Sequence, residues 1–278
     1  DRVGSAVPGK DGKYVLITGN QMGVLLADCI IHSRKELGKM PTNPGMIRSI
    51  VTSPMVDKIC AKNGVQLDEC LTGFKWIAAV MAGYEKSGNN NYIFGFEESY
   101  GYNVETDVRD KDGVSAAAMC AEMTLYWRSV GKSLLERLEE LYNEYGYFQD
   151  VAIAKNFPGS SGVDTMKNIM ANLRKDGLKS LGGKKVVKIR DVGEQIIYDP
   201  ANPAAKEKLD LPSSNVLQFF LEGGTVVSAR PSGTEPKIKF YVNATVPVDK
   251  GLDAAKAEAK ELCAAIEKEI NAILDAAN

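Results

Sequence analysis

The sequence predicts an α/β domain with a mostly parallel sheet, followed by a smaller α+β domain with an antiparallel sheet. The 278 residues exceed what one domain of about 150 residues usually needs, so two domains are expected. From Tyr14 to about Gly146, short apolar runs alternate with longer runs of helical period, which is how βα units read in sequence. Past Asp150 the texture changes to a helix, then short alternating runs joined by tight turns, then a long terminal helix.

In the first domain, YVLITG at 14–19 reads as a strand and NQMGVLLADCIIHSRKEL at 20–37 as a helix stopped by Gly38. MIRSIVTS at 46–53 is the next strand. The helix after it carries its own punctuation: Ser53 as N-cap, Pro54 in the first turn, where its missing N–H matters least, and Gly64 just past the end. VQLDECLTG and FKWIAAVMAGYEKSG repeat the unit over 65–88, and YIFGFEES at 92–99 supplies a fourth strand. Residues 112–146 are strongly helical and break near Gly131.

A boundary falls in YNEYGYFQD at 142–150. VAIAKNFPG at 151–159 opens the second domain, followed by a helix over 163–177, a strand over 184–192 and a Pro/Ala-rich connection, YDPANPAAKEKLDLPSS, at 198–214. NVLQFFLEGG, TVVSARPSG and PKIKFYVNATV read as consecutive antiparallel strands, and 248–277 as the closing helix.

Composition narrows the function. With 44% hydrophobic and 25% charged residues the chain has the make-up of a globular enzyme. A formal net charge of -2 argues against a nucleic-acid partner, which would call for a basic excess. No apolar run approaches eighteen residues, and DRVGSAVPGKDGK lacks the basic and apolar regions of a signal peptide, so no membrane partner is expected. The five cysteines, at 29, 60, 70, 120 and 263, are odd in number and far apart, which implies free thiols in a reducing, cytoplasmic setting. His32 is the sole histidine and sits inside a helical run, so a Ser-His-Asp or Cys-His mechanism is improbable.

In an open α/β sheet, ligands gather at the carboxyl ends of strands. Four turns qualify: TGNQ at 18–21, TSP at 52–54, TGFKW at 72–76 and FEESYGY at 96–102. Lys75 falls in the first turn of a helix, where the macrodipole disfavours a cation. Either it reaches back to solvent or it meets a phosphate or a developing anion. In FEESYGY, strand alternation would send Glu97 and Ser99 to the same side, where a carboxylate and a hydroxyl could grip neighbouring sugar hydroxyls. An acidic loop capping the next helix is the alternative. Paired carboxylates also suit a metal or glycosidase chemistry, but no second pair stands at a comparable position.

Between two strands, RPSGTEP at 230–236 offers an arginine fork, two hydroxyls and a glycine-containing turn whose N–H groups can form an anion-binding concavity. Arg230 would meet two phosphate oxygens, Ser232 and Thr234 would add hydroxyl donors, and Gly233 would admit the phosphate to the backbone. A plain turn remains the other reading. Neither a Walker loop nor a dinucleotide fingerprint is present, so the phosphate would belong to a small metabolite.

Taken in order, DRVG at the first residue, TGNQMG, TGFKWI, GFEESYGY and RPSGTEPKIKFY resemble the α-D-phosphohexomutase family, in particular its phosphoglucomutase and phosphomannomutase-like members. The resemblance covers the whole chain. It implies a cleft lined by four domains carrying a phosphoserine, a DxDxDR metal loop, a sugar loop and a phosphate loop. Asp1 and Arg2 match the end of the metal loop, so the chain is expected to be a C-terminal half lacking the phosphoserine and two aspartates. Residues 1–18 would then be the tail of the metal-loop domain, 19–147 the sugar-binding domain and 148–278 the phosphate-binding domain.

Carried over residue by residue, the resemblance implies that Glu97 and Ser99 hold sugar hydroxyls and that Lys75 is a positive group or proton carrier. Arg230, Ser232, Gly233 and Thr234 would hold the non-reacting phosphate, Arg2 would lie near the transferred phosphoryl group, and Asp1 would be the third Mg²⁺ ligand. The implied small-molecule partner is a sugar phosphate, interconverted through a hexose 1,6-bisphosphate, and the remaining partner is the protein's own missing N-terminal domains. The fragment alone would not turn over. A non-catalytic phosphosugar-binding module is the alternative from a different class, and another sugar-phosphate enzyme on an α/β sheet a third. These loops read hydroxyls common to glucose, mannose, pentose and amino-sugar phosphates.

Overall fold

The structure is a computed structural model that describes residues 1–159, 161–233 and 235–277. They form two compact units, Asp1–Tyr145 and Gly146–Asn278.

The first unit opens with β1 (Ser5–Pro8) and β2 (Tyr14–Ile17), an antiparallel hairpin turned at Gly12, whose φ of 77° suits glycine. Then follow α1 (Gly19–Glu36), β3 (Pro44–Ser49), α2 (Met55–Asn63), β4 (Gln66–Cys70), α3 (Phe74–Ser87), β5 (Asn91–Glu97), β6 (Gly101–Asn103), α4 (Gly113–Ser129) and α5 (Leu134–Tyr145). The main sheet has the order β4-β3-β5-β6, with β3 parallel to β4 and β5, and β6 antiparallel to β5. The mostly parallel sheet read from sequence is therefore present. Its expected first strand is not part of it: β2 pairs with β1 and buries only Ile17, leaving Tyr14 76% and Leu16 80% exposed.

Local chemistry explains the helix ends. Thr18 and Gln21 form a capping box, the Gln21 amide donating to Thr18 Oγ1 at 3.2 Å and the Thr18 amide to Gln21 Oε1 at 3.0 Å. At α2, Pro54 takes the N-cap position without a side-chain cap, and the predicted cap, Ser53, instead donates its backbone N–H to Asn20 Oδ1 at 3.0 Å. Gly64 closes α2 in the left-handed region as expected. An ion network around the buried Arg48 ties β3 to α2 and β4: Arg48 donates to Asp57 at 2.6 and 2.7 Å and to Glu69 at 2.7 Å. Burial alone would lower the Arg48 pKa, but the two carboxylates outweigh it and raise the pKa, so the charge persists.

The second unit comprises β7 (Tyr147–Asn156), α6 (Gly162–Asp176), β8 (Ser180–Leu181), β9 (Lys184–Asp191), β10 (Ile196–Asp199), β11 (Asn202–Lys208), β12 (Leu217–Leu221), β13 (Val226–Pro231), β14 (Lys237–Val246) and α7 (Leu252–Asp275). Its antiparallel sheet runs β11-β10-β9-β12-β13-β14-β7, with β8 paired to β9. Ile153, Phe219, Ala229 and Phe240 of the sheet share one core with Ile169 of α6 and Ile266 of α7, so both helices cover the same face. The Pro/Ala-rich segment expected to be a connection is the β10-β11 hairpin. All seven residues of β11 are exposed, which removes the apolar alternation that marks a strand, and Pro203 is tolerated because β11 is the sheet edge.

A Cβ added at Gly23 would lie 2.1 Å from two Phe96 ring atoms, whereas one at Gly83 meets nothing within 4 Å. Gly23→Ala is expected to destabilise by about 1–3 kcal/mol. Gly83→Ala, in the exposed face of α3, should be neutral or stabilising by up to about 1 kcal/mol. Urea midpoints of both variants check this pair.

Candidate functional site

In the first unit the chain segments at the carboxyl ends of the strands are sewn together. Gly19, at the start of α1, packs backbone to backbone on the loop after β5: an added Cβ would sit 2.0 Å from the Glu98 carbonyl oxygen and 2.8 Å from the Tyr100 nitrogen. Tyr102 Oη donates to the Gly19 carbonyl at 3.1 Å. Asn20 reaches the loop after β3 through the Ser53 amide. Glu97, at the end of β5, accepts the Gly73 N–H through Oε1 at 2.5 Å and so ties the loop after β5 to the loop after β4. Four remote segments therefore meet at the edge where an open α/β sheet holds its ligands.

Glu97 is 6% exposed, and half of its carboxylate is committed to that amide. The expectation that Ser99 shares its side by alternation is corrected, because the strand ends at Glu97. Ser99 lies in a turn next to Tyr100, whose φ is 66°, and is half-buried. Lys75 is exposed in the first turn of α3, its ammonium 5.1 Å from the centroid of the Trp76 ring. Burial first, and the Glu97 charge second, push the Cys70 thiol next to this edge up to about 12.

The chain start is fixed to the same region. Val3 donates to the Tyr100 carbonyl at 3.1 Å, and Asp1 Oδ2 lies 3.2 Å from Lys111 Nζ. Arg2 is exposed. Lys111 went unnoticed in the sequence because RDKDG reads as a charged loop, yet it is the lysine that the structure ties to predicted site residues. Its side chain is only 15% exposed and its ammonium meets Asp110 at 3.0 Å. The Lys111 alkyl chain and the Phe74 ring both press on Gly101, where an added Cβ would come within 3.0 Å of each. Burial works against ionisation of Asp110, but bonds from Lys111 outweigh it and hold that carboxyl below its usual range. The available signal was Asp112, which caps α4 by accepting the Val114 and Ser115 amides at 3.0 and 3.1 Å and so holds its neighbour Lys111 in place.

Asp1 alone does not make a Mg²⁺ site. Among the described residues no group of three or more His, Cys, Asp or Glu side chains could hold a metal ion, and the Asp1 carboxylate is already beside an ammonium.

In the second unit, Arg230 lies near the end of β13, opposite Lys239 of β14. Val227 and Ala229 point into the core, so Arg230 and Lys239 project from the face away from the helices. The turn beyond is self-bonded: Ser232 N–H donates to the Lys237 carbonyl at 2.7 Å, Lys237 N–H to the Glu235 carbonyl at 2.8 Å, and Glu235 N–H to Ser232 Oγ at 3.2 Å. Gly233 is exposed with open space where a Cβ would be, and Thr234 lies outside the described residues. Phe157 N–H bonds the Pro236 carbonyl at 2.8 Å, fastening the turn to the segment that leads into α6. Arg230, Ser232 and Gly233 thus come together on one hairpin end.

Residues 18–145 match the family model of the phosphoglucomutase/phosphomannomutase α/β/α domain III, and residues 158–261 that of the C-terminal domain. The chain belongs to the phosphoglucomutase/phosphomannomutase family. It is 32% identical over 246 residues to a phosphoglucomutase of Staphylococcus saprophyticus, covering 88% of this chain and 44% of that protein. A phosphoglucomutase of Staphylococcus aureus is 34% identical over 247 residues, covering 89% and 43%. The chain therefore spans less than half the length of these relatives. Among solved structures, the open form of the Paramecium phosphoglucomutase parafusin aligns with a TM-score of 0.61 at 19% identity, covering 96% of this chain and 42% of that one. A phosphomannomutase-type protein of Thermus thermophilus aligns at 0.54, also with 19% identity, covering 94% and 44%. These two show the fold. Among the described residues no helix is long and apolar enough to cross a membrane.

Removing the Glu97 carboxylate leaves the Gly73 amide without its acceptor, which is expected to destabilise by about 1–3 kcal/mol. Amide hydrogen exchange at Gly73 should accelerate in Glu97→Ala and stay slow in Glu97→Gln, whose Oε1 still accepts; unchanged protection in both would contradict the brace.

Proposed function

We propose that this chain is the sugar- and phosphate-binding half of a phosphohexomutase that interconverts hexose 1-phosphate and hexose 6-phosphate through a hexose 1,6-bisphosphate. The observation that carries the reading is the Arg230–Ser232–Gly233 hairpin end, a fork, a hydroxyl and an open glycine on a rigid strand pair, in a chain of this family. Arg230 meets two oxygens of the non-reacting phosphate, Ser232 and Gly233 bring the turn close to it, and Lys239 raises the local potential. Thr234 belongs to the same set by sequence. A phosphate is nearly the same object whichever carbon bears it, so one such turn serves both orientations of a sugar.

In the first unit, Ser99 and the Oε2 atom of Glu97 are assigned to sugar hydroxyls, while Oε1 holds the loop in shape. Lys75, exposed at the start of α3, remains the sequence-based candidate for a positive group facing the anion. Lys111 is a second one: together with Arg2 it would place positive charge beside a transferring phosphoryl group, whose chemistry depends mostly on positioning and charge stabilisation. The phosphoserine and the main Mg²⁺ ligands are assigned to a longer chain, with Asp1 as one contributor. Five free cysteines support a reducing, cytoplasmic setting for the enzyme.

Two outcomes test this. The purified chain is expected to show no conversion of glucose 1-phosphate in a coupled assay, and measurable turnover would refute the division of labour. Arg230→Ala is expected to weaken glucose 1-phosphate binding about tenfold or more, since a charge-assisted bond contributes about 1.5–3 kcal/mol. An unchanged Kd in calorimetry would remove the hairpin from the binding site.

A further inference from the structure

The helix side of the second unit holds a cavity that the mutase reading does not use. The β10-β11 hairpin carries the sheet past the edge of α6, and pairing aligns Ile189, Tyr198 and Lys206 on the face that α6 covers further along. Between that face and the last turns of α6 lies a cavity of about 700 Å³, within the range of small-molecule sites. Arg230 projects from the opposite face of the same sheet, so the two places are separate.

We propose that this cavity is an accessory site for a nucleoside phosphate. Its lining includes the aromatic ring of Tyr198, which packs against the core, together with Pro200 and Pro203. The charges at the rim are of both signs. Arg174 is committed to Asp191 at 2.9 Å and Asn215 at 2.7 Å, and the pair forms a wall. Lys175 and Lys206, both exposed and in no ion pair among the described residues, remain available, as do the carboxylates of Asp176 and Glu194. A simple anion would leave the carboxylates unused, and an apolar ligand would leave all four charges unused. A nucleoside phosphate uses every part: the base stacks on the aromatic ring, ribose hydroxyls donate to a carboxylate, and the phosphates meet the lysines. Burial, and then the Asp191 charge, raise the Tyr198 pKa, so its phenol stays neutral.

The test is calorimetric titration of the whole chain with adenosine diphosphate. Saturable binding is expected, with Kd at least about tenfold weaker in the K175E/K206E double variant and within about twofold of the parent in Arg230→Ala. Both lysines are exposed, so far-UV circular dichroism should show an unchanged fold, and Tyr198→Leu provides a second, uncharged variant expected to weaken binding. No saturable binding in the millimolar range overturns the proposal. So does binding lost in Arg230→Ala but kept in K175E/K206E, which would place the nucleotide in the phosphate hairpin. Glucose 1-phosphate affinity should be unchanged in K175E/K206E, so either reading can fail without the other.

Discussion

The bond between the Glu97 carboxylate and the Gly73 amide organises the carboxyl-end edge of the first unit's sheet. Strand ends in a parallel sheet lead into loops that have no ladder partner, and such loops drift unless something cross-links them. Here a buried acceptor at the end of β5 captures the N–H of the residue that opens α3. The Gly19 backbone then closes on the Glu98 carbonyl at a distance that no side chain would allow. The same carboxylate raises the Cys70 thiol pKa after burial has done so, which keeps that thiol neutral beside the edge. Rigidity of this kind lets a short turn grip a polar ligand without first losing the entropy of ordering itself.

The second unit solves a related problem by a different route. Its proposed phosphate-binding residues sit on the end of an antiparallel hairpin, where the turn satisfies its own amides through Ser232, Glu235 and Lys237. The arginine belongs to the strand and not to the turn, so its position is set by the β13-β14 ladder and by a core that buries Val227 and Ala229. The turn supplies small and polar groups, and the strand supplies the charge. Because α6 and α7 cover one face of the sheet, successive residues along β13 alternate between that core and the opposite face, where Arg230 projects.

The sequence disclosed most where local rules act alone. Gly64 and the break at Gly131 mark helix ends through left-handed geometry, and the helices stop where those residues put them, whereas the capping box of Thr18 and Gln21 emerges only in the structure. Strand partnership was not legible: YVLI alternates the same way whether it joins a parallel sheet or a hairpin with β1. The β10-β11 hairpin was invisible because an exposed edge strand carries no apolar face. In the site, the loops were found by their residue types, but Ser99 was placed by extending a strand that stops two residues earlier. Lys111 was missed because its importance comes from packing on Gly101 and Phe74, contacts remote in sequence.

A ¹H–¹⁵N titration of the chain with glucose 1-phosphate puts the proposed hexose phosphate recognition to the test. Saturable shifts are expected at Ser99 and its neighbours and at Ser232 and Gly233. Shifts confined to other surfaces, or an unchanged spectrum at saturating sugar phosphate, would contradict it.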